Sequence, residues 1–275
     1  MNMERADPVN WSSLKYMGIS PRHYLHNLAT PRADSEALLL GRLTHALILE
    51  PDQVASRYVT QPRFNAAMLD ETALAKGYAG GKQAKAAWIA SIPDGAEIVD
   101  SDLMTRAVGM RDAILADPVA APHVTTGHKE HRIDWTDKET GIQCRGRVDC
   151  LNGSLSDLKS TRALVTCERD AARFGYLGQI SWYADGLEAA GIKTHNQPCL
   201  IFVENVPPHD VQVLTFEPED LAVGRRVYRA ALDRLAACRA SGVWPGVSGG
   251  VSRRIKLPEW AAPIEDEITL DGVKI

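Results

Sequence analysis

The sequence lacks most of the features that would take a chain out of an ordinary aqueous compartment. None of its apolar runs approaches the roughly 18 residues that span a bilayer. The opening MNMERADPVNW has no apolar stretch of the kind a secretory leader needs. Cysteines number five, at 144, 150, 167, 199 and 238, and no two stand as C-x-x-C. Their spacing therefore suggests neither a zinc site nor a disulfide framework. A basic excess is missing too: 35 acidic residues outnumber 31 lysines and arginines, for a formal charge of −4. That counts against a broad nonspecific nucleic-acid surface, while a narrow basic channel stays compatible with it. What is present is 275 residues, 45% hydrophobic and 24% charged, enough to bury a sizeable core. The expectation is a cytoplasmic globular protein with no membrane partner.

Periodicity separates a helical first 120 residues from a mixed remainder. NWSSLKYMGISPRHYLHNL reads as two short helices, with Ser12 or Ser13 as a candidate N-cap and Ser20-Pro21 opening the second. SEALLLGRLTHALILEP predicts a helix running to Glu50 and stopped by Pro51; GGKQAKAAWIASIP and SDLMTRAVGMRDAILADP predict two more. From about Gly127 the pattern changes. HKEHRIDWTD, IQCRGRVDCL and SLSDLKST read as strands, the last two joined at Asn152-Gly153. A helix over RFGYLGQISWYADGLEAAG, strands over PCLIFVENV and DVQVLTF, and a long helix from PEDL to Gly242 follow. The expected organisation is a helical region over 1–120, an α/β core over 121–245 and a Gly-, Pro- and Ser-rich tail over 246–275 on its surface, together one compact domain.

The stretch RGRVDCLNGSLSDLKST concentrates the chemistry. Asp149 and Asp157 flank the Asn-Gly turn, and Lys159 follows two residues on. As a strict two-residue loop, Asp149 faces Ser156, Val148 faces Asp157, and the two acids point to opposite faces of the sheet. One extra loop residue, or a bulge that Gly153 permits, puts Asp149 opposite Asp157, with Lys159 on the same face. Two carboxylates and an amine so arranged suit a hard divalent cation, which polarises a phosphate and acidifies a bound water, with the lysine stabilising charge. The bland alternative is a solvated hairpin with ordinary charges.

The chain resembles the PD-(D/E)xK nuclease superfamily, and within it the phage-type RecE exonucleases (exodeoxyribonuclease VIII-like). Besides RVDC…SDLKST, the resemblance runs through SSLKYMGISPRHYL, GRLTHALILEP, GYLGQISWYADGL and VWPG…LPEWA in series. It implies a restriction-endonuclease-like core, a mixed sheet of about five strands flanked by helices. It implies Asp149 and Asp157 as metal ligands with the backbone carbonyl of Leu158, and Lys159 as the catalytic lysine. It implies that His45 approaches the metal from an N-terminal helix and that Glu130 reaches it from the preceding strand, although Asp134 or His131 stands close enough in sequence to compete. Gln179 and Tyr183 match a Q-x-x-x-Y pair beside the DNA path. Mg²⁺ or Mn²⁺ is the implied cofactor, with Mn²⁺ favoured if an imidazole binds; without grouped cysteines no iron–sulfur cluster is expected. The implied activity is exonucleolytic hydrolysis of linear double-stranded DNA, 5′ to 3′, leaving 3′ single strands for recombination, with a single-strand annealing protein as partner and a homo-oligomeric, ring-like assembly. Alternatives are another nuclease of the superfamily, acting on single strands or CRISPR-associated, and a catalytically silent DNA-binding scaffold.

Each candidate also has an ordinary reading. His45 sits among Leu43, Leu47, Ile48 and Leu49 and could be a satisfied core histidine. Tyr176, Gln179 and Tyr183 share a helix face that could contact DNA or simply be a polar stripe. Ser160 and Thr161 could reach phosphate oxygens or merely end a strand. Arg145 and Arg147, with Arg162, Arg169 and Arg173, could form a phosphate track or pair with carboxylates; Arg225, Arg226 and Arg229, clustered on the last long helix, read as a solvated face or carboxylate partners. Arg253, Arg254 and Lys256 fit a subunit contact and a DNA contact equally.

Overall fold

The protein is represented by a computed structural model that describes residues 8–30, 33–252, 254–256, 258, 269–270 and 273–274. The N-terminal part contains β1 (Val9–Asn10), α1 (Trp11–Leu14), α2 (Pro21–Ala29), α3 (Glu36–Leu49), α4 (Val54–Arg57), β2 (Tyr58–Thr60), α5 (Asp70–Ala75), α6 (Lys82–Ala90), β3 (Glu97–Val99), α7 (Ser101–Ala116) and α8 (Ala121–Thr125). Then come β4 (His128–Thr136), β5 (Gln143–Leu151), β6 (Leu155–Thr161), α9 (Cys167–Arg173), α10 (Tyr176–Ala189), β7 (Cys199–Glu204), β8 (Val211–Thr215) and α11 (Pro218–Ser241), and a small hairpin of β9 (Thr269–Leu270) and β10 (Val273–Lys274).

The main sheet has six strands in the order β1-β5-β6-β7-β8, with β4 also pairing β5. Pairing is mixed: β6 and β7 are parallel, joined by a crossover through α9 and α10, while β4-β5, β5-β6 and β7-β8 are antiparallel. One edge of β5 carries β4 from Gln143 to Leu151. The other edge is shared. β1 takes it at Cys144 and Arg145, and β6 takes it at Cys150 and Leu151. The residues between, 146–149, have no strand partner on that side, so the sheet opens into a fork there.

Helices cover both faces. α3, α7 and α8 pack Leu40, Leu43, Met110 and Ile114 on Cys150, Leu158, Cys199 and Ile201. On the opposite face α9 and α10 bring Ala171, Ile180 and Leu187 onto Val148, Leu155, Leu200 and Phe202. α1, α2 and α11 close a further cluster around Trp11, Tyr24, Trp182 and Leu235. β7 is buried on both faces, as a central strand in parallel pairing should be, and its CLIFV run shows no polar alternation.

One local expectation needs correction. α1 is capped by Asn10, whose side chain accepts from Ser13 N–H at 3.0 Å, not by Ser12 or Ser13. The chain enters that helix directly from β1, so the extended cap residue falls two positions earlier. Ser20 does cap α2 ahead of Pro21. Half of the tail, including Arg253, lies outside the described residues. At its root, Trp244 stacks on Tyr24 with ring centroids 6.2 Å apart.

Candidate metal centre

The turn between β5 and β6 sets the geometry. Leu151 pairs with Leu155 and Cys150 with Ser156, so the loop has three residues, Asn152, Gly153 and Ser154. Asn152 N–H donates to Ser154 O at 3.1 Å, and Gly153 takes φ +86°, a conformation glycine adopts without steric cost. This excludes the strict two-residue register. Continued by one rung, the pairing sets Asp149 opposite Asp157. Main-chain pairing stops short of that rung, at the mouth of the fork. There Leu158 N–H donates to the Asp149 carboxylate at 2.7 Å, so a side chain takes the place of a β5 carbonyl.

Facing reverses at the same rung. Val148 packs on the α10 side, while Cys150 packs on the α3 side. In β4, Ile133 packs on the α10 side, while Lys129 reaches Cys150 Sγ at 3.8 Å. The reversal in β4 falls at Glu130, which holds φ +50°. A non-glycine residue in the left-handed region costs of order 1–3 kcal/mol and persists where its surroundings over-determine it. Here it directs a carboxylate to the Asp149 rung without slipping the β4-β5 register, which runs unshifted from Lys129↔Cys150 to His131↔Val148.

α3 supplies the last component. It is an apolar helix capped by Ser35 and pressed onto the sheet by Leu40, Leu43 and Ala46, which leaves His45 facing the fork. His45 Nε2 lies 3.2 Å from the Leu158 carbonyl oxygen, and Nδ1 lies 3.7 Å from Asp149 Oδ2. One ligand atom each from His45, Glu130 and Asp149 lie within 4.8 Å of one another. Asp134 does not compete, being held by Arg132 and Arg145. Asp157 stands outside this trio. Its carboxylate is bound by Lys159 and accepts from Gln179 Nε2 at 3.2 Å.

The electrostatics follow from crowding acids in a poorly hydrated fork. Burial, reinforced by the Asp157 charge, pushes the Asp149 carboxyl well above its ordinary value. Burial and the Lys159 charge lower His45, which keeps the imidazole neutral. Burial alone would lower Lys159 as well, but Asp157 and Asp149 outweigh it and hold the ammonium charged. Lys159 Nζ also sits 4.6 Å from the centroid of the Tyr176 ring. Gln179 bridges to Tyr183 Oη at 3.1 Å, so both members of the Q-x-x-x-Y pair line the inner wall. Tyr183 can lie this close because residue 146 is glycine: a Cβ there would meet the Tyr183 ring at 2.8 Å.

The surrounding candidates divide. Arg147 lies 3.2 Å from Glu130 with its side chain mostly exposed. Ser160 and Tyr176 join it in lining a cavity of about 530 Å³ that His45, Glu130 and Lys159 also line. Arg145 pairs with Asp134 at 2.7 Å beside this cavity. Thr161 is not available to a phosphate: it is buried, and its hydroxyl is used by Ala163. Arg225 is taken by Asp185 and Arg229 by Asp137. Sequence reasoning missed Arg42, Glu50, Arg57 and Tyr58, which also line the cavity. Arg42 lies three residues before His45 on α3, which was the available signal.

The donor set suits a hard divalent cation. It offers carboxylate oxygens, one backbone carbonyl and one neutral imidazole, whereas the five cysteines are buried elsewhere in the core. A cation here also offsets the two acids that burial leaves least tolerable.

Comparison with known proteins bears on the fold that carries this site. A family model described as a PDDEXK-like domain of unknown function (DUF3799) matches residues 10–254. No curated protein matches the chain. Among solved structures, one from Eubacterium rectale described as a "Putative exonuclease" superposes with a TM-score of 0.60 at 14% identity, over 96% of this chain and 95% of that one. At that identity the likeness concerns the fold, and the fold is the forked mixed sheet described above. The chain belongs to the PDDEXK-like domain family.

Proposed function

We propose that this protein is a divalent-metal-dependent deoxyribonuclease, an exonuclease that hydrolyses linear double-stranded DNA, 5′ to 3′, and leaves 3′ single strands for recombination. The observation that carries the reading is the convergence of His45, Glu130 and Asp149 in the fork, beside the Asp157–Lys159 pair. Asp149, Glu130, His45 and the Leu158 carbonyl would hold Mg²⁺ or Mn²⁺, with Asp157 joining as Lys159 turns to substrate. A bound ion of this kind polarises the scissile phosphate and lowers the pKa of a coordinated water.

The chain's own groups account for the rest. Lys159 stays protonated, so its part is to donate hydrogen bonds to charge accumulating on the phosphate oxygens, not to take a proton. Gln179 holds Asp157 in place, and Tyr183 holds Gln179. Arg147, at the cavity rim, is positioned to draw the DNA backbone over the acids. A single-strand annealing protein is the natural partner for the product, and a homo-oligomer, ring-like by the resemblance, would suit continuous digestion. No described helix is long and apolar enough to cross a membrane.

The test is loss of linear duplex DNA in Mg²⁺ or Mn²⁺, abolished by EDTA and by Asp157→Ala. Full cleavage by Asp157→Ala refutes the site. Release of label from one end of a duplex assigns polarity, and faster loss of single strands than of duplex reassigns the substrate.

A further inference from the structure

A second cavity, of about 320 Å³, lies against the metal centre and shares Arg147 and Tyr176 with it. Its chemistry is different. Glu130 lines the first, whereas the residues lining the second include no acid and three cations, Lys15, Arg145 and Arg147. Arg145 shares its carboxylate partner, Asp134, with Arg132, so two guanidinium groups divide one negative charge and this edge of β5 keeps a positive surplus. Over these cations stands Phe174, 45% exposed, its ring centroid 5.9 Å from that of Tyr176. Gln179, which holds Asp157, reaches the same cavity. Arg173 packs over the same ring, its Cζ 5.4 Å from the centroid. A half-exposed phenyl ring beside a row of cations, one step from the reacting centre, matches a ligand that is flat and apolar at one end and anionic at the other. Its volume lies at the small end of the range for ligand pockets, roughly 300–1,000 Å³.

We propose that this cavity holds one unpaired nucleotide of the substrate strand, its base against the exposed part of the Phe174 ring and its phosphate between Arg147 and Lys15. The proposal rests on the nuclease reading and extends it to substrate choice. A base inside a duplex has both faces covered by its neighbours, so stacking on Phe174 requires that the nucleotide leave the stack. The enzyme therefore selects ends whose terminal nucleotide is frayed or single-stranded over fully stacked ones.

The experiment is equilibrium binding in EDTA, where no hydrolysis can occur. The probes are thymidine 12-mers with 2-aminopurine at one end or the other, and the same strands each joined through a loop to a complementary strand as a blunt hairpin. Stacking on Phe174 quenches the fluorescence of one of the two single-stranded probes. Phe174→Ala should weaken its binding about tenfold, from the range seen for loss of one aromatic platform. Phe174→Tyr should restore binding, and Lys15→Ala should lower the salt slope by about 1. Unchanged fluorescence with both probes, or Phe174→Ala binding within about twofold of wild type, overturns the nucleotide site. The nuclease reading is read separately by adding Mn²⁺ to wild type with the same probes. Quenching that depends on Phe174 but no hydrolysis sinks the nuclease and leaves the nucleotide site standing; hydrolysis with Phe174 immaterial does the reverse.

Discussion

The left-handed backbone at Glu130 allows a test of whether function, not stability, dictates that residue. Consider Glu130→Ala and Glu130→Gly side by side. Both remove the carboxylate and its 3.2 Å contact with Arg147. Both relieve Asp149 of a neighbouring negative charge. They differ only in what the backbone tolerates at φ +50°. Alanine keeps a steric penalty of about 1–2 kcal/mol in the left-handed region. Glycine escapes it but gives up about 0.5–1 kcal/mol of chain entropy on folding. The glycine variant should therefore be the more stable by about 0.5–1 kcal/mol, or roughly 1–3 °C in Tm for a domain of this size. The loss of the Arg147 pair subtracts little, since Arg147 is mostly exposed and such pairs contribute about 0–1 kcal/mol. Urea unfolding monitored by circular dichroism measures the difference, and titration calorimetry with Mn²⁺ measures the cost to the centre. Both variants should bind Mn²⁺ at least tenfold more weakly than wild type. Should alanine equal or exceed glycine in stability, the reversal at this rung imposes no strain, and the argument for a held carboxylate fails.

Three further outcomes follow from other parts of the molecule. Burial pushes the Asp137 carboxyl up, but Arg229 and Thr140 outweigh it and set it at about 2. The contribution, about 2 kcal/mol at 1.36 kcal/mol per unit, is present above the unfolded value near 4 and disappears as pH falls toward 2. The stability gap between wild type and Asp137→Asn should thus close between pH 4 and pH 2 in urea titrations; a gap of constant size rules the pair out. Gly224 of α11 meets α10 so closely that a Cβ would lie 2.2 Å from Ser181 Oγ and 2.3 Å from the Leu177 carbonyl. Gly224→Ala should cost about 1–3 kcal/mol, visible as a lower calorimetric Tm; an unchanged Tm denies the close crossing. His45→Ala should weaken Mn²⁺ more than Mg²⁺, because the imidazole is the ligand that distinguishes them; equal weakening of both ions removes His45 from the ligand set.

Most of the sheet was legible because its strands obey local rules. Asn152-Gly153 marked the hairpin of β5 and β6, HKEHRIDWTD marked β4, and PCLIFVENV marked β7, whose unbroken CLIFV run the structure buries on both faces. β1, and the parallel pair of β2 with β3, were not legible. Two or three residues give no measurable period, and what makes Val9–Asn10 a strand is the vacant edge of β5, a partner more than 130 positions away. The same limit applies to facing. Alternation assumes that each strand keeps its faces, and β4 and β5 both reverse at Glu130 and Asp149, a feature set by one backbone angle and one three-residue loop. The sequence could state the condition under which Asp149 and Asp157 meet, but the loop length that satisfies it is settled by packing on both sides of the sheet.

That reversal explains why the acids can be so buried. A regular β5 would continue its pairing with β6, and Leu158 N–H would find a carbonyl. With the sheet forked, that donor needs another acceptor, and Asp149 supplies it at 2.7 Å. One oxygen of the carboxylate is thus spent on structure, which anchors the side chain and leaves its charge aimed into the gap. Asp157, one strand over, is held in turn by Lys159 and Gln179. Neither acid can rotate away to water to relieve its neighbour, so two carboxyl groups are fixed side by side where hydration is poor, and burial with that crowding is what raises Asp149. Removing the lysine should therefore leave the fork short of positive charge. Lys159→Met should lose cleavage, yet bind the divalent ion at least as tightly as wild type, because Asp157 is freed to ligate. Calorimetric titration with Mn²⁺ reads this directly, and weaker binding by Lys159→Met would show that the ammonium supports the ion's site instead of competing for Asp157.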